Sequence, residues 1–116
     1  MNARCRMVGN VAVIDLSGRM TGLDSPGTLK DQVVSALGGG HRDIVLNLGQ
    51  LSFVDSSFIG ELVSSCLTVA RIGGTLKLAC PVRRVQELLF ITRLATIIES
   101  FETENAAIAS FTTPGH

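Results

Sequence analysis

The sequence predicts one α/β domain: a mixed, mainly parallel sheet of about five strands, opened by an antiparallel N-terminal hairpin and accompanied by about four helices. Three observations carry this. Short β-rich runs alternate with stretches of helical periodicity, glycine clusters close the helical stretches, and a Gly-Asn pair joins the first two apolar runs. At 116 residues, 46% of them hydrophobic, the chain can bury one core without a disulfide or metal staple. The domain is expected over residues 1–111, with residues 112–116 as a flexible tail.

Residues 4–8 and 11–17 flank Gly9-Asn10, a two-residue connection of the hairpin kind. In the second run Ala12, Ile14 and Leu16 alternate with Val11, Val13 and Asp15, as in a strand with unlike faces. Ser25-Pro26 then reads as an N-cap and first helical residue, and Leu29, Val33, Val34 and Leu37 form the stripe of a helix that ends at Gly38-Gly39-Gly40. Residues 43–48, DIVLNL, are too short for a helix and apolar enough for a central strand.

A long helix is predicted over residues 56–72. Ile59, Leu62, Val63, Cys66 and Ala70 fall on its apolar face, with Ser57, Glu61, Ser64, Thr68 and Arg71 opposite. Gly73-Gly74 stops it, and residues 75–79 make the next strand. Pro81 opens a short helix through residue 90, residues 95–98 are expected as a fifth strand, and residues 102–111 as a last helix.

Ten basic and ten acidic residues cancel, so no global field draws in nucleic acid or anionic lipid. Cys5, Cys66 and Cys80 are odd in number and lack metal-ligand spacing; they read as reduced, buried thiols, with neither a disulfide framework nor a zinc site. The opening MNARCRMVGNVAV forms no secretory h-region, and no apolar run reaches the roughly 18 residues of a membrane span. A cytoplasmic domain that binds no cofactor or metal and contacts neither membrane nor nucleic acid is expected.

The chemistry concentrates at Asp55-Ser56-Ser57, where a strand and its loop hand over to the long helix. One reading is a helix cap, in which Asp55 or Ser56 offers an oxygen to the first free N–H groups, contributing about 1 kcal/mol. The other takes the hydroxyl pair as a working surface, since a cap leaves the second serine idle. A serine hydrolase would need G-x-S-x-G and a histidine base. Ser56 lies between Asp55 and Ser57, and the histidines are His41, before a strand, and His116, in the tail. An aspartyl-phosphate receiver would need further strand-end carboxylates for Mg²⁺, and Lys77 lies inside a strand. The glycine clusters follow helices, whereas phosphate-cradling loops precede them. Arg83, Arg84 and Arg93 form a small basic group on or near the third helix. No catalytic residue emerges, and the chain is not expected to be an enzyme.

The chain resembles the STAS domain family, and within it the small free-standing anti-sigma factor antagonists. The resemblance runs through Leu16-Ser17-Gly18-Arg19, residues 44–48, Val54-Asp55-Ser56-Ser57, Gly60-Glu61-Leu62-Val63, residues 73–78 and residues 85–89. It implies a domain that binds an anti-sigma factor with serine kinase activity and so releases a sigma factor. It also implies reversible phosphorylation of Ser56, undone by a metal-dependent phosphatase, with Asp55 fixing the loop and the kinase encounter. Asp55, Ser56, Ser57, Phe58 and Glu61 are the partner-binding residues expected on this basis, in a monomer or weak dimer. The family's usual run is D-S-[S/T]-G; here Phe58 replaces that glycine, and its helical position sets it at the edge of the apolar stripe, half buried. The alternative class is a constitutive adaptor in a larger signalling or transport assembly, with Phe58 excluding the kinase.

Overall fold

The computed structural model of the protein describes residues 2–21 and 28–112. Its elements are β1 (Asn2–Val8), β2 (Val11–Met20), α1 (Thr28–Gly38), β3 (Asp43–Val54), α2 (Ser56–Arg71), β4 (Thr75–Ala79), α3 (Arg83–Ile91), a 3₁₀ turn (Leu94–Thr96), β5 (Ser100–Phe101) and α4 (Glu104–Thr112). The five strands lie in the order β1-β2-β3-β4-β5. Only β1 and β2 pair antiparallel, across the Gly9-Asn10 turn. The Gly9 backbone there takes φ 62°, a left-handed conformation that glycine adopts without steric cost. The other pairings are parallel.

Both faces of the sheet are buried, so β2 and β3 read as continuous apolar runs. On one face Ala12, Ile14, Leu16, Ile44, Leu46 and Leu78 meet the buried stripes of α1, α2 and α3. On the other, Val11, Val13, Val45 and Ala79 meet Ala107 of α4, with Ile108 and Phe111 packed alongside. The expected unlike faces of β2 are therefore both apolar at Val11 and Val13; the polar-looking side is covered by the last helix.

Four expectations change. First, β3 does not stop at residue 48 but runs on through Gly49-Gln50 to Val54, paired over this extension with β2 alone. Two register shifts, between Asp15 and Ser17 and between Gly18 and Arg19, accommodate the extra residues as bulges. Second, residues 95–98 curl instead of extending: the Ile97 and Ile98 N–H groups both donate to the Leu94 carbonyl at 2.9 Å. The fifth strand is Ser100–Phe101, beside Leu78–Ala79. Third, the stripe of α2 is rotated from the expected face: Phe58, Leu62, Ser65 and Val69 are buried, whereas Ala70 is exposed. Fourth, Cys5 is exposed, and Cys66 and Cys80 are partly buried. Burial pushes the Cys66 thiol up to about 11, which leaves it in the unreactive protonated form.

The ends of α2 and α4 have local causes. A Cβ on Gly74 would lie 2.6 Å from the Arg42 carbonyl oxygen and 2.9 Å from Val69, so only glycine lets the turn after α2 press against the start of β3. Thr103 Oγ1 accepts from the Ala106 N–H at 3.1 Å and caps α4. The expected Ser25-Pro26 helix start and residues 113–116 of the tail lie outside the described residues. Among the described residues, no helix is long and apolar enough to cross a membrane.

α4 is fixed to its face by polar contacts as well as apolar ones. Arg6 donates to Asp15 at 2.6 and 3.1 Å and also to Glu104, and Asn47 donates to the same Glu104 oxygen at 3.0 Å. Lys77, buried in β4, donates to Ser110 Oγ at 2.7 Å and lies 4.4 Å from the centre of the Phe111 ring.

The Arg6 hydrogen bond, joined by that from Asn47, holds the Glu104 carboxyl below its ordinary range against the opposing effect of burial. Its contribution is therefore present above the unfolded value of about 4.3 and is lost as pH falls through the lower folded value. Glu104→Gln is expected to remove roughly 0.5–1 kcal/mol at neutral pH and to shrink the difference from wild type below about pH 4. Urea denaturation at pH 7 and pH 3.5 measures both.

Candidate functional site

The long β2–β3 pair carries the site. β4 ceases to pair beyond Asn47 of β3 and β1 beyond Ser17 of β2, after which β2 and β3 continue as a two-stranded ribbon through Gly18 opposite Leu51, Arg19 opposite Phe53 and Met20 opposite Val54. The Asp55 N–H donates to the Met20 carbonyl at 3.2 Å, which closes the ribbon where α2 begins. Asp55, Ser56 and Ser57 thus stand beyond the carboxyl end of the parallel strands, at the end of the ribbon.

Asp55 is the cap. Its backbone is extended (φ −116°, ψ −174°), and Oδ1 accepts from the Ser57 N–H at 2.9 Å and from the Ser57 hydroxyl. Its carbonyl accepts from the Phe58 N–H at 3.1 Å. One carboxylate thereby orders the first turn of α2 and occupies the hydroxyl of Ser57. Ser56 is exposed, and among the described residues its hydroxyl makes no hydrogen bond. Of the two serines, the first is available and the second is committed.

Phe58 differs from expectation. Its side chain is fully buried and belongs to the same core cluster as Met20, Leu29, Val54 and Leu62. A ring inside the core neither contacts a partner directly nor screens Ser56 from an approaching enzyme. It anchors the first turn of α2 from beneath, and burying a phenyl ring contributes roughly 2–3 kcal/mol. Glu61 is partly buried, and its Oε1 accepts from the Leu29 N–H of α1 at 3.2 Å. It satisfies a free donor in the first turn of the neighbouring helix and ties α1 to α2.

Two residues that the sequence reading did not assign to the site stand beside this junction. Phe53 is 49% exposed on the ribbon, and the Arg19 guanidinium lies 5.0 Å from the centre of its ring. Strict strand alternation would have put Phe53 on the inward face with Leu51. The register shift that leaves Ser52 as an extra residue between Leu51 and Phe53 turns Phe53 outward and Val54 inward, and no local signal in the sequence marks it.

The acid–base alternatives find no geometry. His41 precedes β3, so the length of that strand, roughly 35 Å, separates it from Ser56. Lys77 lies under α4, engaged with Ser110. Among the described residues no three His, Cys, Asp or Glu side chains cluster as a metal site. Arg83 and Arg84 sit in the first turn of α3 whereas Arg93 lies past its last, so the three do not make one basic patch.

The profile of the STAS domain matches residues 2–107, and the chain belongs to the STAS domain family. A protein of Thermotoga neapolitana, named provisionally as an anti-sigma factor antagonist, is 32% identical over 72 residues. That match spans 62% of this chain and 64% of the relative's length. Among solved structures, a Thermotoga maritima protein provisionally described as an anti-sigma factor antagonist has a TM-score of 0.86 at 21% identity, covering 96% of this chain and 95% of that one. Bacillus SpoIIAA in its phosphorylated form has a TM-score of 0.73 at 22% identity, covering 95% and 99% of the two chains. At these identities the structural likeness establishes a common fold.

Substitutions should separate the three roles at the junction. Phe58→Ala is expected to cost about 3–5 kcal/mol, Asp55→Ala about 1 kcal/mol, and Ser56→Ala no more than about 0.5 kcal/mol. Chemical denaturation followed by circular dichroism ranks them.

Proposed function

We propose that the protein is an anti-sigma factor antagonist whose binding to an anti-sigma factor is switched off by phosphorylation of Ser56. The observation that carries this reading is the exposed Ser56 hydroxyl, without a hydrogen bond among the described residues, beside a Ser57 hydroxyl committed to Asp55. Membership of the STAS family and the names of the relatives support it. In this reading the anti-sigma factor is itself the serine kinase, a metal-dependent phosphatase restores the hydroxyl, and the bound state frees a sigma factor.

Elementary electrostatics makes the switch one of surface, not of fold. A phosphate brings about −1.5 to −2 charges. At the start of α2 the backbone N–H groups and dipole offset roughly 0.3–1 kcal/mol of that, while neighbouring Asp55 opposes it. Water screens both. Against a closely packed partner the same charge costs about 2–5 kcal/mol, which is tens to thousands of fold in affinity. Arg19 and Phe53 on the ribbon, with Ser57 and Glu61 on α2, extend the surface that the partner covers, and Phe58 supports it from within.

The adaptor alternative relied on Phe58 blocking the kinase. The burial of that ring does not favour this reading.

Ser56→Asp is expected to weaken partner binding at least about tenfold with an unchanged melting temperature, and Ser56→Ala to retain binding while abolishing phosphate incorporation. Calorimetry with the cognate anti-sigma factor, and peptide mass mapping after incubation with it and ATP, make the test. Phosphate on another residue, or Ser56→Asp binding like wild type, would overturn the proposal.

A further inference from the structure

Away from the Ser56 junction the surface is unusually apolar. Phe90 is 80% exposed, Ile91 70% and Ile97 76%, whereas the core takes up nearly every other large apolar side chain of α3 and the turn after it. Two hollows lie on this side. One, of about 530 Å³, is lined by Phe90, Ile91, Arg93, Ala95 and Thr96. The other, of about 240 Å³, has Leu67, Ala70 and Ile97 in its wall. The turn after α3 contributes to both, Ala95 and Thr96 to the larger and Ile97 and Ile98 to the smaller, and each is open and too shallow to enclose a small ligand.

Arg93 identifies what would cover it. It is the one charged side chain lining the larger hollow, and no ion pair or side-chain hydrogen bond engages it among the described residues. Its backbone is left-handed (φ 63°) at the position just past α3 where glycine ordinarily stands. An arginine held there against its backbone preference points to a use for the guanidinium. Apolar walls around an unpaired cation complement a segment that presents apolar side chains beside a carboxylate.

We infer that this surface docks an amphipathic, acid-bearing helix of a partner protein, in the manner of a helix laid in a groove. About three turns of α2, roughly 16 Å, separate Ser56 from Leu67. A helix docked here need not touch Ser56, and the inference is that its binding does not depend on the state of that residue. The inference stands apart from the proposed switch.

The test titrates ¹⁵N-labelled protein with a synthetic peptide of about four helical turns, carrying Leu at i, i+3, i+4 and i+7 with Glu flanking, and with its Lys-for-Glu counterpart. The Glu peptide is expected to bind roughly tenfold more tightly, shifting amides at Leu67 and residues 90–97 but not at residues 56–59. Arg93→Glu should reverse the preference, and Phe90→Ser, at an exposed position, should weaken binding roughly tenfold. Arg93→Gly should raise the melting temperature while weakening the Glu peptide, and Ser56→Asp should change nothing. Equal affinity for the two peptides would overturn the inference, as would the absence of shifts in this region. So would the same shifts produced without peptide by raising protein concentration, which would indicate a second copy, or by phosphatidylglycerol vesicles in place of peptide.

Discussion

The carboxylate of Asp55 is the contact on which the site depends. It accepts from the backbone N–H and the hydroxyl of Ser57, while its own N–H is held by Met20 of β2. One residue thus joins the strand ribbon to the helix and settles which serine is spent on structure. Beneath it, the buried Phe58 ring fixes the turn to the core. Ser56 then stands between a hydrogen-bonded cap and a turn packed on the core, and in the proposed switch a charge added there changes the surface presented to a partner rather than the path of the chain.

The rest of the fold serves that support. β2 and β3 are long because both faces of their shared region are buried, one under α1, α2 and α3 and the other under α4. Among the described residues, no third strand pairs with the end of the ribbon. Its bulges and the inward Leu51 and Val54 keep it on the core. Glu61, bonded to the start of α1, extends the same logic sideways and makes the two helices flanking the site one unit. On the opposite face the Arg6, Glu104 and Asn47 contacts hold α4 in place, away from Ser56.

Local signals in the sequence were enough where structure is local. Gly9-Asn10 marked the hairpin because the turn needs a positive φ, and the glycines at 38–40 and 73–74 marked helix ends because a helix can close there. The start of α2 at Ser56 followed from capping chemistry. Most of the failures were nonlocal. Gly49-Gln50 looks like a strand end and continues only because β2 pairs with it across a bulge. The apolar run at 95–98 resembles a strand, yet its amides return to Leu94. Phe58 seemed marginal by angle alone; the largest side chain on that turn takes the core position and rotates the stripe. The Glu61 to Leu29 bond joins two helices and leaves no mark in either segment by itself.

A domain that switches at its surface must hold its first helical turn equally in both states. Amide hydrogen exchange at Ser57 and Phe58, compared between wild type and Ser56→Asp, reads this directly, since those N–H groups donate to the Asp55 side chain and carbonyl. The account predicts the same protection at both positions and along α2 in the two proteins. Loss of protection through the first turn of α2 in Ser56→Asp would contradict it, because the added charge would then be acting by melting the helix.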